Sequence, residues 1–508
     1  MAKSKGVRLV ITDKTLWHSI ADVVVVGFGA SGAAAAIAAH DNGAGVVLLE
    51  KQPADSHFSN SNMSVGMFLS VSDVAAARTY MENLCRVNPE LYWTDKETIH
   101  AWAEHLSQNK EWLERQGARI RLMANGIGEH DLPGREGIDL YSFRGLGHGL
   151  MRFLKKQVAT RGIPIMYHTR AERLLTNERR EVLGVAARCQ DKETNVRASK
   201  AAVLCSGGFE YDEEMKLNYL KVYPTYFAGS TSNTGDGIRM AQEVGASLWH
   251  MNCCSACFVL KPPDFPIALG PNFKGTKGYL QFLIAEATGN SYCGYIIVDR
   301  HGKRYTNEQF KRHTLYYELA LYDSRRLEYP RVPSYWIFDR RRIEAGPLPL
   351  MFYGPMLHRM YRWSEDNSEE IRKGWIARAE TVEEMAGKLG MEVAVLRETV
   401  QNYNSCCEHK HDPEFGRPSQ ALIPLREPPF FAIKLWPGSA NTQGGPRRNQ
   451  KAQVLDAYGN PIPRLYAAGE LGSVYGQLYP MGGGNLAECF AFGRIAGEHA
   501  ARETSNPG

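Results

Sequence analysis

The sequence contains no apolar run that could cross a bilayer. The valine run Val23–Val26 is far shorter than the roughly 20 residues that a membrane-spanning helix needs. Residues 1–22 include early lysines but lack the apolar core of a signal peptide. We therefore expect a cytoplasmic protein with no membrane span.

A one-sided charge and a disulfide framework are also absent. The chain has 60 basic and 55 acidic residues among 508, and a net charge of +5 is too dilute to indicate nucleic-acid binding. Ten cysteines in so long a chain are not a disulfide scaffold. Cys253–Cys257 contains one Cys-x-x-Cys without a second pair, and Cys406–His411 is tighter than the usual zinc spacings. We expect no metal site and no nucleic-acid partner.

Glycine, by contrast, is abundant and is placed in a recognisable pattern. Residues 22–51 predict a buried strand, a turn with Gly27, Gly29 and Gly32, an alanine-rich helix, and a second strand that ends at Glu50. In such a unit the glycines allow a tight turn, close approach of a pyrophosphate and close packing of helix on strand. Glu50 is placed to accept ribose hydroxyls and disfavours a 2′-phosphate. The pattern predicts a site for FAD or NAD.

The rest of the chain predicts at least two domains, because 508 residues exceed one core. A helix is predicted at 147–161, and a strand at 201–204 leads into a second glycine segment, Ser206-Gly207-Gly208. Aromatic and charged residues become frequent from 258 to 413. After residue 413 the pattern of short apolar strands and glycine segments seen before residue 258 returns, with a hairpin at 453–470. We predict an α/β fold: a Rossmann-like domain built from residues 1–257 and 414–508, interrupted by an α+β capping domain, 258–413.

Several ordered motifs together resemble the flavoprotein family of soluble fumarate reductases and 3-ketosteroid dehydrogenases. The motifs are Gly27-x-Gly29-x-x-Gly32 with Glu50, Asn60-Ser61-x-x-Ser64-x-Gly66, Thr234–Gly237, Gly302–Glu308, Thr442-x-Gly444-Gly445, Leu465–Glu470 and Gly483–Leu486. The resemblance implies a Rossmann-like FAD-binding domain and a capping domain that covers the substrate. It also implies that the amide end of the last helix stabilises negative charge on the reduced flavin.

The resemblance carries a set of cofactor-binding residues over to this chain. They are Gly27, Gly29, Ala30, Ser31, Gly32, Glu50, Lys51, Asn60, Ser61, Ser64, Gly66, Ser206, Gly207, Gly208, Asp236, Gly469, Glu470, Gly484, Asn485 and Leu486. Relatives with covalent flavin use a histidine near the serine- and asparagine-rich loop, where this chain reads Asn60-Ser-Asn-Met. We therefore expect non-covalent FAD, with His57 as the residue to check.

The substrate motif favours a ketone. Tyr479-Pro480-x-x-Gly483 resembles the ketosteroid dehydrogenases, whose tyrosine hydroxyl and glycine amide hold the ketone oxygen. Two donors that converge on one oxygen form an oxyanion hole. The histidine and arginine with which fumarate-type enzymes clamp a dicarboxylate are replaced by Ala440-Asn441 and Met481-Gly482. The resemblance thus implies oxidation or reduction of the carbon–carbon bond next to a ketone of a cyclic or steroid-like substrate.

The residue at the position that handles the proton favours the fumarate-type enzymes instead. Arg312 resembles the arginine proton donor of fumarate reductases, whereas ketosteroid dehydrogenases have a tyrosine there. Arginine is a plausible acid within a relay but an awkward base, so Tyr316 and Tyr317 are the substitutes for a desaturation. One alternative is a fumarate-reductase-like enzyme that uses Arg312 to reduce an unsaturated carboxylate. Another is a flavin-binding module without chemistry.

Electron exchange needs a partner outside this sequence. No second Gly-x-Gly-x-x-Gly and no fused electron-transfer domain is present among the 508 residues. We expect a small-molecule ketone or enone as substrate and either a separate electron carrier or oxygen as the redox partner.

Overall fold

A computed structural model describes residues 15–309 and 313–506 of the chain. The chain divides into two compact units. The first combines residues 1–220, 230–254 and 441–508, and the second combines 221–229 and 255–440. The Rossmann-like unit built from both chain ends is therefore confirmed. The second unit continues past the predicted boundary at 413 because a long strand, Phe430–Thr442, pairs with its other strands.

The strands are short in general, and two reach thirteen residues. In chain order they are β1 (Ser19–Val26), β2 (Val46–Leu49), β3 (Met67–Val71), β4 (Ile120–Ala124), β5 (Ile138–Phe143), β6 (Ile165–Met166), β7 (Thr169–Thr176), β8 (Val182–Cys189), β9 (Lys192–Leu204), β10 (Tyr226–Phe227), β11 (Leu248–Trp249), β12 (Cys254–Val259), β13 (Tyr295–Val298), β14 (Ser334–Phe338), β15 (Ile376–Ala379), β16 (Phe430–Thr442), β17 (Gly445–Pro446), β18 (Gln453–Leu455) and β19 (Pro461–Ala467).

The helices are α1 (Ala30–Asp41), α2 (Asn60–Met63), α3 (Val74–Cys85), α4 (Lys96–Leu106), α5 (Asn109–Arg115), α6 (Leu146–Thr160), α7 (Glu213–Tyr219), α8 (Asp236–Glu243), α9 (Gly278–Thr288), α10 (Leu315–Leu319), α11 (Arg340–Glu344), α12 (Gly354–Leu357), α13 (Ser368–Arg372), α14 (Val382–Leu389), α15 (Val393–His409) and α16 (Gly484–Arg502). The predicted helix at 147–161 and hairpin at 453–470 correspond to α6 and to β18–β19. Within the described residues, no helix combines the length and the apolar character needed to cross a membrane.

The main sheet of the first unit has the order β18-β19-β9-β1-β2-β6. Strand β1 pairs in parallel with β2 and β9, and β9 pairs in parallel with β19. The valines of Val23–Val26 are buried, as expected for a strand covered on both faces. Because β1, β2, β9 and β19 run in the same direction, the segments that follow them meet at one edge of the sheet.

Helices α1 and α16 approach each other closely because both carry small residues. Helix α1 reads ASGAAAAIAAHD and is buried over Ala30–Ala39. A methyl group on Gly493 would lie 2.7 Å from Ser31 O, and one on Gly497 would collide with Ala35 O. The last helix is therefore held against the first helix by backbone contact, and its amino end lies in the same unit as the glycine turn.

The second unit contains a sheet of order β10-β16-β14-β13, to which β12 and β15 add through β16. A buried ion network lies in this unit. Arg304 donates to both Glu308 oxygens at 2.7 Å and to Asp412 at 2.8 Å, and Arg417 lies 3.2 Å from Glu308. The Gly302–Glu308 motif therefore supplies buried ion pairs in this unit.

The close contact of α16 with α1 predicts opposite effects for two glycine substitutions. Gly497→Ala should lower the free energy of unfolding, because overpacking against a backbone oxygen costs about 1–3 kcal/mol and exceeds the roughly 1 kcal/mol gain in helix propensity. Gly387→Ala is the matched control, since no described atom outside its own helix and chain neighbours lies within 4 Å of a methyl group there. It should leave stability unchanged or raise it by up to about 1 kcal/mol. Urea denaturation followed by circular dichroism measures both, and a stabilised Gly497→Ala protein would contradict the close packing.

Candidate cofactor and substrate site

The glycine turn after β1 has the geometry that a dinucleotide requires. Gly27 has φ +100°, and a methyl group on it would lie 2.5 Å from Cys205 O. A methyl group on Gly32 would collide with Gly27 O. Gly29 differs, because among the described residues beyond its chain neighbours only Ser61 Oγ, at 3.5 Å, comes within 4 Å of a methyl group placed there. The space beside Gly29, at the amino end of α1, is open for a phosphate.

The segment around α2 is docked on that amino end. Ala30 N–H donates to Ser61 Oγ at 3.0 Å, and Ser64 Oγ donates to Ser61 O at 2.8 Å. Gly66 has φ +65°, and a methyl group there would lie 2.5 Å from the Leu146 carbonyl carbon. The serine- and asparagine-rich loop therefore lies beside the glycine turn.

Glu50, at the end of β2, is prepared to accept hydroxyl groups. Its Oε2 accepts the Phe28 N–H at 2.9 Å and its Oε1 accepts the Gln52 N–H at 2.9 Å. Burial opposes its charge, but His57 at 3.5 Å and these N–H groups outweigh burial and hold the pKa of Glu50 below its ordinary value. Glu50 stays ionised at neutral pH and keeps acceptor capacity for ribose hydroxyls.

Lys51 and Asp236 lie together. Lys51 Nζ donates to Asp236 Oδ2 at 2.8 Å and to Thr234 Oγ1 at 2.9 Å, and Arg170 donates to Asp236 Oδ1 at 2.7 Å. Although burial opposes its charge, Lys51 and Arg170 hold the pKa of Asp236 below its ordinary value. The motif Thr234–Gly237 is thus bonded through Lys51 to the segment that follows β2.

Glu470 joins the end of β19 to the α2 segment. Asn60 Nδ2 donates to Glu470 Oε2 at 2.9 Å, and Asn60 Oδ1 accepts the Ser230 N–H at 2.6 Å. The preceding residue, Gly469, has φ +78°, and a methyl group on it would lie 2.6 Å from Ser31 Oγ. The structure therefore brings the predicted Asn60, Gly469 and Glu470 to the glycine turn.

The second glycine segment, after β9, carries polar atoms without partners. Gly207 has φ +75°, and a methyl group on Gly208 would collide with Thr442 Oγ1. Among the described residues, Ser206 Oγ and both side-chain polar atoms of Gln443 are buried without hydrogen-bond partners. Buried polar atoms normally have partners, so these groups, together with the open space at Gly29, fit a polar cofactor such as FAD.

Tyr479 lies against the amino end of α16. Its side chain is buried, its oxygen accepts the Asn485 N–H at 2.7 Å, and it lies 3.2 Å from a methyl group placed on Gly484. Gly483 precedes the helix with φ +102°. Burial raises the pKa of Tyr479 well above its ordinary value, so the hydroxyl remains a proton-bearing group at neutral pH. The predicted Tyr479, Gly483, Gly484 and Asn485 are therefore together.

Two asparagines are hydrogen-bonded to each other beside this helix end. Asn485 Nδ2 donates to Asn441 Oδ1 at 2.6 Å, and Asn441 Nδ2 donates to Thr442 O at 2.8 Å. Asn441 is fully buried. The oxygen and the nitrogen of the Asn441 side-chain amide are both bonded to protein groups, so this side chain is not extended towards a bound anion.

Sequence reasoning missed three buried charged groups of this unit. Glu210 accepts the Thr442 N–H at 2.6 Å and its hydroxyl at 2.9 Å, and Arg448 pairs with Glu488. Burial raises the pKa of Glu488 to about 7 despite Arg448. The position of Glu210 just after the second glycine segment could have indicated it. No neighbouring sequence pattern marks Arg448 or Glu488.

Two of the candidate proton-handling residues, Tyr316 and Tyr317, belong to the second unit. Tyr316 is buried and its oxygen accepts the Lys221 N–H at 3.0 Å. Lys221 Nζ lies 5.6 Å from the centre of the Tyr317 ring, and the two tyrosine rings are 5.4 Å apart. Arg312 lies outside the described residues. In the part of the chain that the structure describes, no group of three His, Cys, Asp or Glu side chains could hold a metal ion.

Comparison with known proteins agrees with the geometry of the glycine turn. Residues 22–486 match the family described as FAD binding domain. The NADH:fumarate oxidoreductase of Klebsiella pneumoniae (strain 342) is 29% identical over 501 residues, 95% of this chain and 48% of that protein. The 3-oxosteroid 1-dehydrogenase of Mycobacterium tuberculosis (strain ATCC 25618 / H37Rv) is 29% identical over 388 residues, 70% of this chain and 63% of that protein.

This chain thus spans about half the length of the first relative and less than two thirds of the second. Among solved structures, the 3-ketosteroid delta1-dehydrogenase from Sterolibacterium denitrificans in complex with 1,4-androstadiene-3,17-dione has the same fold. Its TM-score is 0.80 at 22% identity, over 95% of this chain and 99% of that one. The chain therefore belongs to the FAD binding domain family and is an FAD-dependent oxidoreductase, related to fumarate reductases and 3-ketosteroid dehydrogenases.

Proposed function

We propose that the protein oxidises or reduces the carbon–carbon bond α,β to a ketone of a cyclic or steroid-like substrate. The observation that carries this proposal is the position of Tyr479, whose hydroxyl lies against the amino end of α16 beside Gly483 and Gly484. A phenol and backbone N–H groups at a helix end stabilise an oxygen that gains negative charge. A ketone oxygen next to the reacting bond gains such charge as an enolate.

The chain's own residues would divide the chemistry in two. Tyr479 and the Gly483 N–H hold the ketone oxygen, and Tyr479 can donate because its pKa lies well above neutral. Arg312 exchanges the α proton, with Tyr316 or Tyr317 in its place if the physiological direction is desaturation. Bound FAD supplies the acceptor or donor for the β hydride.

The groups beside Tyr479 support a ketone over a dicarboxylate. Where fumarate-type enzymes carry a histidine and an arginine, this chain has Ala440-Asn441 and Met481-Gly482. Asn441 is buried and bonded to Asn485 and to Thr442 O. Neither pair adds a positive charge, and an anionic substrate needs one to offset the loss of its hydration.

The cofactor is proposed to be non-covalent. His57 is buried beside Glu50, its ring stacks on Phe28 at 5.4 Å, and Tyr167 meets it edge-on at 6.1 Å. Glu50 is the ribose-binding acid, so His57 lies at the ribose end of the site, whereas covalent flavins are attached through the ring. The electron carrier or oxygen as redox partner and the cytoplasmic location stay predictions from the sequence.

Removing the Tyr479 hydroxyl tests the oxyanion role. Tyr479→Phe should lower kcat on a ketone or enone by about 100- to 1,000-fold, the usual cost of one oxyanion donor, and should retain FAD. Tyr475→Phe is the matched buried control, because its hydroxyl donates to Gly484 O at 3.0 Å at the same helix end. It should lower stability with a much smaller loss of kcat. Equal losses in the two variants would assign Tyr479 to packing.

A substrate panel separates the ketone from the carboxylate. Photoreduced protein is mixed anaerobically with enones and with unsaturated carboxylates, and oxidised protein is mixed with saturated ketones, while flavin absorbance is followed. We expect enones to reoxidise the flavin and carboxylates to leave it reduced. If only carboxylates react, the enzyme is a fumarate-reductase-like enoate reductase. If neither panel reacts, the chain is a flavin-binding module without chemistry.

The proton-handling residue is tested in both directions. Arg312→Gln should slow enone reduction by at least about 100-fold, the usual contribution of a general acid, while Tyr317→Phe should change it little. In ketone oxidation, Tyr317→Phe should be slowed more than Arg312→Gln if a tyrosine acts as the base. Arg326→Gln replaces an exposed arginine and is the control. Unchanged reduction by Arg312→Gln would remove Arg312 from the mechanism.

A further inference from the structure

Arg448 is fully buried and binds the turn that follows β19. Its guanidinium donates to Ala467 O at 3.0 Å and to Gly469 O at 3.4 Å. Ala467 is the last residue of β19, and Gly469 opens the Gly469–Glu470 segment beside the glycine turn. One side chain therefore holds two backbone carbonyl groups of this turn.

Glu488 holds Arg448 from the last helix. It lies near the start of α16, it is fully buried, and its Oε1 pairs with the Arg448 guanidinium. The guanidinium carbon also lies 5.0 Å from the centre of the Phe492 ring, on the same helix. Desolvation offsets much of the attraction in a buried ion pair, so such a pair is weak evidence for stability. This pair does, however, join the end of β19 to α16 within the first unit.

The turn that Arg448 holds lies against the amino end of α1. Gly469 has φ +78°, and a methyl group on it would lie 2.6 Å from Ser31 Oγ. Ser31 is the second residue of α1, close to the open space at Gly29 that suits a phosphate. The Gly469–Glu470 peptide is trans, and in a planar trans peptide the C=O and the N–H point in opposite directions. Since the Gly469 carbonyl faces Arg448, the Glu470 N–H points away from Arg448.

We propose that Arg448, held by Glu488, is a positioning residue for the cofactor: it orients the Gly469–Glu470 peptide so that its N–H donates to a phosphate oxygen of FAD. The amino end of α1 offers N–H groups to the same phosphate, and the Glu470 N–H adds a donor from the neighbouring strand end. Arg448 acts through the peptide that it holds and does not touch FAD. The proposal rests on FAD binding and is independent of the substrate.

The test measures FAD affinity after the ion pair is removed. Arg448→Met/Glu488→Met takes away both charges together, so that neither is left buried alone, and such exchanges are often neutral for stability or raise it. The dissociation constant of FAD should nevertheless rise by about 10- to 100-fold, the loss expected for one hydrogen bond to a charged group. Equilibrium dialysis of the holoenzyme with detection of flavin fluorescence measures it, and circular dichroism checks the fold. Wild-type affinity in the double variant overturns the proposal.

Arg494→Met is the matched control, because Arg494 is another buried arginine bonded to backbone carbonyl groups. It donates to Phe490 O at 3.2 Å, to His105 O at 2.7 Å and to Asn109 Oδ1 at 2.9 Å. Loss of these bonds should lower the free energy of unfolding in urea and leave the FAD dissociation constant unchanged. An equal loss of FAD affinity in Arg494→Met would assign the effect to the packing of α16 and overturn the proposal.

Arg448→Lys keeps the proposal testable if the double variant folds poorly. Lysine leaves a cation beside Glu488, but its single ammonium lacks the planar fork with which arginine bonds several acceptors at once. This variant should fold and should bind FAD more weakly than the wild type, and wild-type affinity in it overturns the proposal. Because no substrate is present in any of these measurements, their failure leaves the ketone proposal intact, and a negative substrate panel leaves this proposal intact.

Discussion

Four parallel strands that end at one edge of a single sheet set the positions of the candidate cofactor-binding groups. The glycine turn follows β1, Glu50 follows β2, the second glycine segment follows β9, and Gly469–Glu470 follows β19. Parallel pairing makes these ends coincide in space although they are separated by hundreds of residues in sequence. The α2 segment then bridges two of them, since Ser61 accepts from Ala30 and Asn60 donates to Glu470.

The last helix, α16, places its amino end, which carries partial positive charge, at this edge of the sheet. Glycines let α16 lie against α1 by backbone contact, which holds its amino end and Tyr479 in place. Tyr479 and Asn485 are neutral hydrogen-bonding groups, suited to an oxygen that becomes charged during reaction.

Local patterns were predicted well, and long-range pairings were not. The strand, glycine turn, helix and strand of residues 22–51 depend on contacts among neighbours in sequence, so the alternation of glycine and apolar residues predicted them. Glu210 and Thr442, by contrast, are 232 residues apart, and nothing in either segment indicates the other. The second unit ends at residue 440 and not at the predicted 413 for the same reason, because β16 pairs with strands far from it in sequence.

By itself, the sequence determined a dinucleotide site for FAD or NAD, because the strand, glycine turn, helix and acid of residues 22–51 depend on residue types at short spacing. The choice of FAD and the roles of Tyr479 and Gly483 came from the resemblance to a known family. Only the tertiary structure decided what those residues contact. It showed that Asn441 accepts a hydrogen bond from Asn485, that His57 lies beside Glu50, and that Glu210 is buried and bonded to Thr442. The reason is physical: burial and charge depend on what surrounds a group in space, and that is set by strands that pair across the whole chain.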